Sequence, residues 1–149
     1  IIVAINQSST ADTKYDALDN RSVTVTTTDN DTAAFAVTET EGSTAVSESG
    51  STDTFTVVLG SEPTGNVVFS LSDNDSDDSE ISLSSSTLTF TSSNWNTAQT
   101  VTVTGVNDNV SDDNVTSTIT VAINQSSTAD TKYDALDNRS VTVTTTDND

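Results

Sequence analysis

Carboxylates are the groups in this sequence that could do chemistry, and they come in knots. Glu48 stands in VSESG, Asp73, Asp75, Asp77 and Asp78 in SDNDSDDSE, Asp108, Asp112 and Asp113 in VNDNVSDDN, and Asp147 and Asp149 in the closing TTTDND. The last knot has an earlier copy, Asp29 and Asp31. Of 23 acidic residues 18 are Asp and 5 are Glu, against only Lys14, Arg21, Lys132 and Arg139, for a net charge of -19. Aspartate favours turns over strands and is a ligand for hard cations. Cys, His and Met are all missing, which removes disulfides, thiolate nucleophiles, imidazole bases and soft-metal sites together. The remaining donor set is oxygen. Carboxylates brought together without a cation repel one another, and a hard, oxygen-rich site selects Ca²⁺. Any one cluster alone also reads as a solvated turn; it is four clusters with so few bases that point to calcium.

Strands must hold these acids. TDTFTVVL puts Phe55, Val57 and Leu59 on one face, and NVVFSL does the same with Val67, Phe69 and Leu71. SSTLTF offers Leu88 and Phe90, QTVTVTGV offers Val101 and Val103, STITVAI offers Ile119, Val121 and Ile123, and SVTVTTT offers Val141 and Val143. With AAFAV and STAVS, seven to eight short strands are predicted. Threonine fills many outward positions, as suits a pleated, half-exposed surface. GSEPTGN around Pro63, the two Asp-rich loops and STADTKYDALDNRS read as turns, and no helix of useful length has the right period. The reading is all-β: an antiparallel immunoglobulin-like β-sandwich. Alternate loops of such a sandwich emerge at one end, so the loops at 72–80 and 107–114 and the terminus at 147–149 are expected to converge. Trp95 in SSNWNT reads as a core or edge anchor, with a sugar-stacking platform as the alternative.

A repeat organises the chain. Residues 3–31 are identical to residues 121–149, an offset of 118. Twenty-nine consecutive identities mark a tandem array. The expected division is a hairpin ending one repeat at 1–31 and a complete repeat at 32–149. The chain opens on the apolar run IIVAI, as a window onto something longer would. Long arrays of identical units set length, so a structural role is expected rather than an enzyme. Carboxylate pairs can serve glycoside hydrolysis, but here the acids are spread over many loops. A hydrophobic fraction of 32% with this charge lies toward the disordered end of composition. Regular alternation and a single proline argue instead for a thin-cored β protein that draws stability from something besides apolar burial. The acidic surface repels nucleic acid and anionic membranes, and neither nucleic acid nor membrane insertion is expected.

The order VSESGSTDTFTVVL, PTGNVVFSL, LTFTSSNWNTAQTVTVTGVNDN and SVTVTTTDND resembles a Calx-β repeat, as strung together in giant bacterial adhesins of the repeats-in-toxin type. The resemblance spans residues 32–149, and NWNTAQTVTVTGVND is its most specific phrase. It implies a calcium-binding sandwich that extends a secreted adhesin from the bacterial cell surface, for attachment or biofilm formation. Glu48 matches the family's acid after the first strand, Asp73 or Asp75 the one after the third, and Asp108 and Asp112 the late-loop pair. Asp147 and Asp149 match the closing acids, although Asn148 separates them where the family has consecutive acids. Expected partners are neighbouring identical repeats, with other chains of a filament as the alternative. A carbohydrate- or ice-binding module is a further alternative, the ice reading drawn from the alternating threonines of TVTVT and TVTTT.

Overall fold

The computed structural model describes residues 1–74, 80–111 and 113–149. The chain divides into two compact units, Ile1–Asn30 and Asp31–Asp149. The first holds two short antiparallel strands, β1 (Ile2–Val3) and β2 (Arg21–Ser22), with the one-turn helix α1 (Thr13–Asp16) between them. No helix among the described residues is long and apolar enough to cross a membrane.

The second unit is a two-sheet sandwich. Its strands are β3 (Phe35–Glu39), β4 (Thr44–Ser47), β5 (Thr52–Leu59), β6 (Val67–Asp73), β7 (Ile81–Leu83), β8 (Thr87–Phe90), β9 (Gln99–Gly105), β10 (Val115–Ile123) and β11 (Arg139–Thr146). A one-turn helix, α2 (Thr131–Asp134), links the last two. One sheet runs β4-β11-β10-β6-β8 and the other β3-β5-β9-β7. Nine strands are seen here, and eleven in the described chain, where seven to eight were predicted. In this unit the extra one is β7, whose ISL gives too short an alternation before the serines to be read as a strand.

The sandwich is also not wholly antiparallel. β4 pairs with β11 in parallel, from Val143 opposite Thr44 to Thr146 opposite Ser47. The chain leaves the four-stranded sheet after β3 and joins the five-stranded sheet as β4 without reversing direction. A short 3₁₀ turn at Thr40–Gly42, with Glu41 and Gly42 at positive φ, makes that crossing.

Alternation places the core where period two requires. Phe55, Val57, Val67, Phe69, Phe90, Val101, Val103, Ile119, Val121, Val141 and Val143 are buried between the sheets. Phe69 makes edge contacts with Phe35 (4.8 Å between centroids) and Phe90 (5.8 Å), tying β3 across to the opposite sheet. Trp95 is partly buried against this core, which is the anchor reading of that residue. Outward positions are hydroxylated: Thr116 and Thr118 on β10 face Thr144 and Thr142 on β11.

The sandwich has two distinct poles. Thr32 and Phe35 lie at one, where the Arg139 guanidinium sits 5.8 Å from the Phe35 ring and Ser61 Oγ donates to the Thr32 carbonyl at 3.1 Å. From Arg139 the strand β11 runs the height of the sheet, about 25 Å over its eight residues. The chain therefore comes into this unit at one pole and leaves at the other.

Candidate metal centre

Three carboxylates meet at the pole where the chain leaves. Glu48, Asp108 and Asp149 each place one oxygen within 4.8 Å of the others. Oxygens that share one Ca²⁺ stand at most about 4.6–5.2 Å apart, twice the usual Ca–O distance. The spacing fits a single ion.

Each acid is delivered by the end of a strand. Glu48 follows β4, and its N–H donates to the Thr146 carbonyl at 3.2 Å, one rung past the parallel ladder. The end of β4 is pinned from below: Asp53 Oδ2 accepts from Ala45 N–H at 2.9 Å and Ser51 Oγ from Ser47 N–H at 2.7 Å. A tight turn closed by Gly50 N–H to Ser47 O (3.1 Å), with Gly50 at φ +85°, then carries the chain away. Glu48 is left 1% exposed. A carboxylate so buried needs positive charge or donors about it.

Asp108 lies three residues beyond β9, and Gly105 governs its position. The Gly105 N–H donates to Ser51 O at 3.0 Å, and a Cβ at Gly105 would stand 2.1 Å from Ser47 O. Only glycine lets β9 pass this close to β4, which brings Asp108 beside Glu48. The loop is then tied to the closing segment, for Asn148 Nδ2 donates to Asn107 Oδ1 at 3.0 Å and Ser111 Oγ to Asp149 O at 3.5 Å.

The other expected ligands have different places. Asp147 turns its carboxylate to backbone donors, Asp113 N–H at 3.3 Å and Asp149 N–H at 2.9 Å, and so shapes the closing turn. Asp113 is exposed at φ +65°. Asp73 is exposed at the end of β6, where its neighbour Asn74 makes the cross-strand bonds to Thr118. Asp29 and Asp31 are exposed and lie outside the three-carboxylate group. Asp75 and Asp112 fall outside the described residues.

Two positions escape the sequence reading, Gly105 and Asp130. Asp130 is 2% exposed, caps α2 through Lys132 N–H (2.8 Å), and accepts from Thr64 N–H (2.7 Å) and Thr64 Oγ (2.9 Å). Burial alone would raise its pKa, but the donors at Thr64, Lys132 and Tyr133 together outweigh burial and hold it below the usual carboxylate value. A depressed folded pKa stabilises above the unfolded pKa, near 4, and the benefit goes as pH falls through the folded value. Asp130→Asn is accordingly expected to be less stable than the native chain at pH 7, with the gap narrowing as pH falls below about 4. Urea midpoints at pH 7, 5 and 3 check this.

No protein-family profile matches the chain, and no curated protein matches it. Among solved structures it is similar to the E. coli chaperone DraB, with TM-score 0.50 and 9% identity over 78% of this chain. It spans 57% of the length of DraB. It is also similar to a PapD-like domain of human CEP192, with TM-score 0.49 and 10% identity, covering 87% of this chain and 95% of that one. At such identities the likeness is one of fold, and the DraB match agrees with the layers and strand pairing above: the chain carries an immunoglobulin-like β-sandwich.

Proposed function

We propose that this chain is an extender repeat of a secreted, surface-anchored bacterial adhesin, similar to Calx-β repeats and stiffened by calcium. One observation carries the reading: Glu48, Asp108 and Asp149 come within one ion's reach at the pole where the chain leaves the sandwich. Bound there, Ca²⁺ supplies charge neutralisation and joins three segments, the end of β4, the loop after β9 and the end of the chain's last strand. Because the chain comes in at the opposite pole, successive repeats of period 118 add their lengths end to end. On this reading residues 1–31 are the closing hairpin of a preceding repeat. Asp29 and Asp31 stand in that repeat where Asp147 and Asp149 stand in this one. The role is mechanical, with no chemistry beyond ion binding.

Calorimetric titration of the 149-residue chain with Ca²⁺, paired with melting in calcium and in EGTA, tests the proposal. At free calcium a hundredfold above Kd the ion adds about 2.7 kcal/mol, and for a unit of this size that raises Tm by roughly 10 °C. Glu48→Gln and Asp108→Asn each abolish most of the shift. No heat of binding and identical melting in EGTA would refute the reading.

A further inference from the structure

One strand of the sandwich is weakly held except at its charged end. β4 is the outermost strand of its sheet and pairs with β11, in parallel, over four rungs. Its inner face carries Thr44, Val46 and then Glu48, all buried. Val46 is the one apolar member of that set, and its rung partner is Thr145. Thr145 buries a hydroxyl with no hydrogen-bond partner among the described residues, which costs part of what burying Val46 gains. A central strand is far better anchored: β10 turns in Ile119, Val121 and Ile123.

The chain on either side of β4 is built to turn. Before it, Glu41 and Gly42 have φ of 56° and 84°; after it, Gly50 has φ of 85°. The left-handed conformation at Glu41 is one that residues with side chains seldom adopt, and leaving the sheet relieves it. Thr44 Oγ donates to Glu39 Oε2 at 2.9 Å, Ala45 N–H to Asp53 Oδ2 at 2.9 Å and Ser47 N–H to Ser51 Oγ at 2.7 Å. The last two bonds are solvent-exposed, where water replaces a lost partner at small net cost.

Glu48 decides the balance. Its N–H extends the ladder onto Thr146 O at 3.2 Å, and its carboxylate, 1% exposed, lies in the group with those of Asp108 and Asp149. Asp149 follows β11 and Asp108 follows β9, so the end of β4 meets like charge from both of the strands it lies against. Three carboxylates with oxygens within 4.8 Å repel one another; around one Ca²⁺ the same three are drawn to a common centre. The force on the end of β4 therefore changes sign with the ion, and a single valine opposes the change.

We infer, on the calcium reading proposed above, that β4 is a calcium-set latch on the edge of β11, seated when the ion is bound and released when it is withdrawn, while the rest of the sandwich stays folded. Release leaves the neighbouring strand in place, because β3 keeps its five pairs with β5 from Phe35–Leu59 to Glu39–Phe55. The turns at Thr40–Gly42 and Gly50 supply the hinges. Opening uncovers the backbone of β11 from Val143 to Thr146 and turns a covered strand into a sheet edge.

Hydrogen exchange of the 149-residue chain, read on peptides covering 44–50 (β4) and 99–105 (β9) in calcium and in EGTA, tests the latch. A segment that opens locally exchanges ahead of the core. In EGTA the β4 peptide is expected to exchange faster than the β9 peptide. Free calcium a hundredfold above Kd slows the β4 peptide about a hundredfold, because only the seated form holds the ion. A disulfide between Ala45→Cys and Thr144→Cys pins the strand: the two positions face each other across the parallel pair, both are exposed, and the chain has no other cysteine. Oxidised, this variant is expected to exchange slowly at β4 even in EGTA; reduced, it behaves as the native chain. Calorimetric titration of the same samples with Ca²⁺ separates two ways of failing. Heat of binding together with a β4 peptide no faster than the β9 peptide in EGTA overturns the latch and leaves the calcium reading standing. So does an oxidised variant whose β4 peptide exchanges in EGTA as fast as the reduced one. No heat of binding overturns both.

Discussion

Gly105→Ala is expected to lower the stability of the sandwich by about 3 kcal/mol, near the upper end for overpacking, and Tm by roughly 10 °C. The added methyl would stand 2.1 Å from Ser47 O and 2.6 Å from Ser47 C, so backbone rather than a flexible side chain must give way. Ser47 cannot give easily. It is paired with Thr146 in the parallel ladder, and its N–H is held by Ser51 Oγ. Relief comes by parting β9 from β4, which draws Asp108 away from Glu48. A second readout rests on the proposed ion: the same substitution is expected to remove the rise in melting temperature that calcium held by Glu48, Asp108 and Asp149 would give. Gly60→Ala is the control: its Cβ meets Ala34 Cβ at 3.2 Å, a contact that a shift of tenths of an ångström relieves. Melting both variants in calcium and in EGTA checks the pair.

Phe69→Ala is expected to cost about 4 kcal/mol, as large-to-small changes at buried aromatics do. Phe69 is fully buried and is the middle ring of the Phe35–Phe69–Phe90 contacts, so its loss opens a cavity between the two sheets that no neighbour fills. Domains of this size are stable by only 5–15 kcal/mol, and this core is thin, with four phenylalanines in the whole chain. The variant should fold cooperatively in calcium and lose much of its near-ultraviolet signal in EGTA at 37 °C. Equal signals in the two buffers would show that the ion contributes little to folding.

The legible parts of this fold are those that period two encodes. TDTFTVVL, QTVTVTG and RSVTVTTT alternate over seven or eight residues, and each is a strand whose apolar set is buried. β7 was hidden because two apolar residues in ISL carry no period. The parallel run of β4 beside β11 was hidden because strand direction belongs to the path of the chain, not to local alternation. At the candidate centre the acid-rich loops drew notice by composition. Which acids meet depended on features that composition does not express: the rung by which Glu48 extends the ladder, and the missing side chain at Gly105. Asp147 looked equivalent to Asp149, yet it spends its oxygens on two backbone N–H groups. Asp130 read as a turn residue, since its partners at Thr64 are 66 residues away.

The parallel β4–β11 pair has a mechanical consequence. Tension along the polypeptide draws the start of the sandwich, with β3 and β4, one way and the end of β11 the other. The four facing residue pairs from Val143–Thr44 to Thr146–Ser47 then bear the load in shear and must fail together, not peel apart singly. Such an arrangement resists sudden pulling far better than a hairpin loaded at its open end.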